Sequence, residues 1–199
     1  MNRTRRADHT GHSRPQLLAP FVTAAWVLFS LLNLCAQEPK PTEYQVKAAY
    51  LYNFGRFVQW PARFPAATDD SFYICVLGQD PFGVTLDAAL AGATIDGKSL
   101  VAKRISRPQE SVHCHILFVS SSEDKQLNNV LATIDKAGVL TVSEMPHFSR
   151  RGGMIQFVSE GNRVRFEVNL TAAGDAGLTL SSELLKLAIT VRTGSQPGD

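Results

Sequence analysis

Few residues in this chain are of types and spacings suited to chemistry. His113, Cys114 and His115 stand side by side. On a strand the two histidines would face one way and the cysteine the other. Two imidazoles on one face could form half a zinc site. The remaining ligands would have to come from elsewhere, and His147 is the one histidine left outside the leader and this pair. A structural role is the simpler reading, so neither a metal nor any other cofactor is expected. The stretch "VLGQDPFG" pairs a strand end with a helix start, a place where an anion can sit. It lacks phosphate-loop glycine spacing and a lysine, so a nucleotide site is not expected. Ser120, Ser121 and Ser122 follow a strand-like run without the G-x-S-x-G elbow of a serine nucleophile. They read as helix caps. No catalytic set emerges, and the chain is not expected to be an enzyme.

Two stretches suit binding instead. Arg165, Glu167 and Asn169 share one face of a strand. They could receive a polar ligand, or form a solvated face with an ion pair. "SRRGGMIQF" joins a basic pair, two glycines and the apolar Met154, Ile155 and Phe157. Apolar residues beside a flexible basic loop suit a protein contact; a loop entering a core strand is the plainer alternative.

These residues must be placed by regular elements. "EYQVKAAYLYNFGRFVQW" reads as a helix from Glu43 to about Val58, capped by Thr42 and stopped by Pro61. It holds six of the chain's 17 aromatic residues. Tyr44, Ala48, Leu51, Phe54 and Val58 form its core stripe. Tyr50, Phe57 and Trp60 are left over and are expected, in part, at a dimer or partner interface. "FYICVLG" (72–78) reads as a strand buried on both faces, followed by a helix capped by Asp80 with Pro81 at its first position. A turn at Asp96-Gly97 leads to an alternating strand, 100–105. "CHILFVS" (114–120) is a second buried strand. A helix capped by Ser121 or Ser122 and a short strand, 138–144, come next. "MIQFVSEGNRVRFEVNL" predicts an antiparallel hairpin turning at 160–162, with Phe166, Val168 and Leu170 on its apolar side. "SSELLKLAITV" predicts a closing helix capped by Ser181 or Ser182. The expected fold is α/β, with a mostly parallel central sheet flanked by helices on both faces and a C-terminal antiparallel hairpin.

The whole chain bounds these readings. Its 199 residues, 44% hydrophobic and 19% charged, suit one globular domain. Residues 1–36 differ from the rest: four arginines, then an uncharged apolar run. They read as a signal peptide, with Gln37 as first mature residue; an uncleaved anchor, or a lipoprotein at Cys35, is the weaker alternative. Residues 37–42 read as an unstructured mature N-terminus, 43–192 as the domain and 193–199 as a disordered tail. The leader holds four of the 20 basic and one of the 18 acidic residues, which leaves 16 against 17. No basic field remains to attract nucleic acid. Cys75 and Cys114 are then the remaining cysteines. An even count in an exported chain favours a disulfide; two buried thiols are the alternative.

The ordered set "EYQVKAAYLYNFGRFVQWP", "ICVLGQDPFG", "CHILFVS", "LTVSEMPHFSRRGGMIQF" and "VRFEVNLTAAGDAGLTLSSELLKLA" resembles the YfiR family of periplasmic proteins. The likeness runs from Glu43 to Val191, nearly the whole mature chain. It implies a non-enzymatic repressor that binds the periplasmic domain of an inner-membrane diguanylate cyclase, YfiN in the best-known case, and keeps cyclic-di-GMP low. It also implies an outer-membrane lipoprotein, YfiB, that sequesters the repressor, and a tendency to homodimerise. Cys75 and Cys114 match a family disulfide. Met154, Ile155, Phe157 and Glu167 fall where the family's partner-contacting surface is expected. Some members carry a second cysteine pair around "HFSRRGGMIQF"; this chain has none there, so a looser loop is expected. A small-molecule-binding module using Arg165, Glu167 and Asn169 is the alternative reading. Redox state, sensed through Cys75–Cys114, is one candidate input.

Overall fold

The structure, a computed structural model, describes residues 40–61, 71–161 and 163–194. The chain divides into two units between Lys40 and Pro41, and every helix and strand named here belongs to the second. The expected leader, residues 37–39, position 162 of the hairpin turn and residues 195–199 lie outside the described residues. No described helix is long and apolar enough to cross a membrane.

Helix α1 spans Glu43–Phe57. Thr42 caps it in a capping box: its hydroxyl accepts from the Gln45 N–H at 3.3 Å, and the Gln45 side chain accepts from the Thr42 N–H at 2.7 Å. Glu43 sits in the first turn and Arg56 in the last, so both ends of the dipole face favourable charge. The expected stripe faces the sheet. Ala48, Leu51 and Phe54 are fully buried, Val58 nearly so, and Tyr44 partly. The chain then forms the short strand β1, Val58–Gln59.

Strand β2, Ser71–Leu77, is buried along almost its whole length. Its alternate residues serve two cores. Phe72, Ile74 and Val76 join the cluster under α1; Tyr73, Cys75 and Leu77 join the one on the opposite face. Helix α2 covers Val84–Leu90. It starts later than the Asp80-Pro81 reading expects. The Asp80 carboxylate accepts from the Phe82 N–H at 2.8 Å, which closes a turn rather than the helix. It also pairs with Arg104 at 2.8 Å.

Strands β3, Thr94–Ile95, and β4, Lys98–Ile105, form a hairpin. Asp96 and Gly97 turn it with φ of 50° and 79°, the paired positive values of a type I′ turn. Strand β5, Ile116–Val119, begins two residues later than expected, because a 3₁₀ helix at Pro108–His113 reaches up to Cys114. A second 3₁₀ helix, Ser121–Gln126, leads into helix α3, Leu127–Thr133. Its cap is Ser120, one residue before the expected pair: the hydroxyl accepts from the Ser122 N–H at 3.4 Å.

Strand β6, Leu140–Ser143, is followed by the hairpin of β7, Ile155–Glu160, and β8, Arg163–Asn169. Phe157 pairs with Phe166 and Gln156 with Glu167 in that antiparallel register. Leu170 starts helix α4, Leu170–Asp175, instead of continuing the apolar face of β8. The Asn169 side chain caps α4. Strand β9, Thr179–Leu180, pairs with β1.

The expected long closing helix is two elements. Helix α5, Ser182–Leu187, is capped by Ser181; strand β10, Thr190–Arg192, then runs parallel to β8. The main sheet is ordered β10-β8-β7-β6-β5-β2-β4-β3. Its neighbours are parallel except at β7–β8 and β3–β4. Helices α1, α2, α4 and α5 bring apolar residues to one face, and α3 to the other. The fold is therefore the expected α/β arrangement with a C-terminal antiparallel pair.

Candidate partner-binding surface

Cys75 and Cys114 form a disulfide, with Cα atoms 5.9 Å apart. It ties the middle of β2 to the residue after the first 3₁₀ helix. Beside it, His113 is exposed and His115 is buried. The two do not share a face, because the strand begins only at Ile116; the shared-face expectation is corrected. His115 Nδ1 accepts from the Tyr73 N–H at 3.1 Å, and its ring stacks on Phe72 with centroids 4.1 Å apart. Burial, with a smaller contribution from Lys98, pushes its pKa down to about 4. It is a neutral core histidine over most of the pH range.

The left-over aromatics of α1 are half-buried. Tyr50 lies 5.8 Å from Phe54 and 5.5 Å from Phe166, ring centre to ring centre. Trp60 donates its Nε1–H to the His115 carbonyl at 3.3 Å and meets Phe72 edge-on. Phe57 packs on the same core. They form a rim around the buried stripe, with part of each ring open to solvent.

Lys47 lies on the same helix, almost fully buried at 3% exposure. Its ammonium pairs with Glu43 at 2.6 Å and with Glu144 just past β6. The Tyr44 hydroxyl donates to the second Glu144 oxygen at 3.3 Å. Burial alone would depress the Lys47 pKa, but the hydrogen bonds and charges of Glu144 and Glu43 outweigh it and hold it above its ordinary value. Sequence reading missed this cluster. Its signal was a lysine one position before Ala48 in an otherwise apolar helix stripe.

The loop from Met145 to Gly153 connects β6 to β7. Its Phe148 side chain is fully buried in the second core. Gly153 is obligatory there: a Cβ would lie 2.1 Å from the Phe148 ring. Ser149, also fully buried, donates its hydroxyl to Glu167 at 2.8 Å, while its N–H donates to the Gln156 side-chain carbonyl at 3.2 Å. Asn169 Nδ2 donates to the Ser149 carbonyl at 2.8 Å. Arg192 Nη2 donates to Glu167 at 3.3 Å. The loop expected to be looser for want of cysteines is thus pinned by a polar network and a buried ring. Gln156, Ser149 and Arg192 escaped sequence reading. Gln156 was legible in principle, as it alternates with Ile155 and Phe157; Arg192 fell just beyond the expected closing helix, which ends at Val191.

Met154, Ile155 and Phe157 are core residues at 7%, 0% and 3% exposure. A partner cannot touch Ile155 without opening the sheet. Glu167, Arg165 and Asn169 are half-buried on the opposite side of β8. Between the loop, α3, α4 and β10 runs an open groove of about 1480 Å³, whose lining includes His147, Arg150, Asn169 and Arg192. Among the described residues no cluster of three metal-ligating side chains occurs.

A profile of YfiR/HmsC-like proteins matches residues 44–189, all of the described sheet except β10. The chain belongs to the YfiR/HmsC-like family. Among solved structures, a conserved domain protein from Vibrio cholerae O1 biovar El Tor superposes with a TM-score of 0.53 at 12% identity. The match covers 76% of this chain and 60% of that one, so this YfiR/HmsC-like chain spans less than two thirds of that protein's length. An ABC domain from Streptococcus pneumonia, solved in complex with L-Trp, gives 0.45 at 12% identity, over 65% of this chain and 58% of that one. The first likeness bears on the fold, and the second carries no argument.

Proposed function

We propose that this chain is a periplasmic regulatory binding protein that represses an inner-membrane diguanylate cyclase by binding its periplasmic domain. The observation that carries the reading is membership of the YfiR/HmsC-like family across residues 44–189. Repression works by population shift: the protein binds one state of the cyclase's periplasmic domain and holds it there. Sequestration of the repressor by an outer-membrane lipoprotein would release the cyclase. The protein acts as a homodimer after export by its 1–36 leader. The pinned loop and β8, with Glu167 at their junction, supply a rigid platform for the partner. Met154, Ile155 and Phe157 support that platform from within, while Tyr50, Phe57 and Trp60 offer a half-open aromatic rim elsewhere.

The small-molecule reading is less well supported. Glu167 and Asn169 are already engaged by Ser149, by Arg192 and by the cap of α4. The test is calorimetry of residues 37–199 against the periplasmic domain of a diguanylate cyclase from the same genome. A complex of micromolar or tighter affinity is expected. Absence of binding to every such domain would overturn the reading and return weight to a metabolite ligand.

A further inference from the structure

We draw no further inference here: the strongest candidate, the cleft at the carboxyl ends of β5, β6 and β7 that Ser121, Glu144 and Ser159 line together with Glu43 and Lys47 of α1, carries nothing, because Lys47 already pairs with both carboxylates and nothing in the structure shows what would occupy it.

Discussion

A buried imidazole contributes to the acid sensitivity expected of this protein, beside the Glu43 and Asp87 carboxylates whose pKa values Lys47 and Arg104 hold down. In the unfolded chain His115 takes up a proton near its ordinary value of 6.5; in the fold that value falls to about 4. The native state therefore stays neutral while the unfolded state charges. The stabilisation is fully present above pH 6.5, declines as pH falls towards 4, and is lost below that. The span corresponds to about 3 kcal/mol. His115→Asn keeps an acceptor for the Tyr73 N–H and removes the titration. Urea unfolding of the two proteins between pH 7 and pH 4 is expected to show a slope in the parent that is much reduced in the variant. An unchanged slope would mean that other groups carry it. Lys47 makes a second residue-scale prediction. Removing its ammonium leaves Glu144 half-buried with no cation paired to it among the described residues, so Lys47→Ala should cost about 3 kcal/mol, towards the lower end for a broken buried pair because Glu144 is partly solvated. A joint Lys47→Met, Glu144→Gln change should cost less than Lys47→Ala alone, as a denaturation series would reveal.

At the scale of elements, one long-range tie between β2 and the segment entering β5 is covalent. The 39-residue separation of Cys75 and Cys114 implies about 4 kcal/mol from restricting the unfolded chain. The double change to alanine should lower stability by up to that amount without moving β2, which is held in register by β4 and β5 on its two sides. Loss of the fold altogether would mean that the sheet depends on the bridge for its assembly. Helix α1 relies on burial: Leu51 and Phe54 are inaccessible, and Phe54 stacks on Phe157 and meets Phe166 edge-on. The loop before β7 is held by Phe148 and the Ser149 network. Both elements converge on the β7–β8 hairpin, one on each of its faces.

For the molecule as a whole, the placement of the disulfide bears on how redox state could be an input. Cys75 is 0% and Cys114 2% exposed, and thiol exchange needs a thiolate to reach sulfur. Under native conditions millimolar dithiothreitol is expected to leave the bridge intact over hours, while the same reagent in urea cuts it at once. Mass spectrometry after alkylation distinguishes the two. Rapid cleavage in the native protein would instead point to local opening around Cys114 and would restore reduction as a plausible signal. If the bridge resists, reduction of the folded protein is excluded as its input.

Hydrophobic period and turn chemistry determined most of the architecture without help from tertiary context. The α1 stripe repeats every three to four residues and can be satisfied only by one buried face. The runs at 72–77 and 116–119 are apolar without interruption and need cover on both sides. Asp96-Gly97 and the alternation across 164–168 each specify a hairpin. Tertiary structure decided what local pattern leaves ambiguous. Asp80 had the composition of a cap, yet Arg104 and the Phe82 N–H claim its carboxylate. "ELLKLA" has a helical composition, but the β-branched Ile189, Thr190 and Val191 after it favour extended backbone, and pairing with β8 makes a strand of Thr190–Arg192. Ser149, Gln156, Glu167 and Arg192 are ordinary surface types until the β7–β8 register and the parallel addition of β10 bring them together. Polar contacts between residues far apart in the chain depend on strand order, and strand order is fixed by the packing of the whole sheet rather than by any local run of side chains.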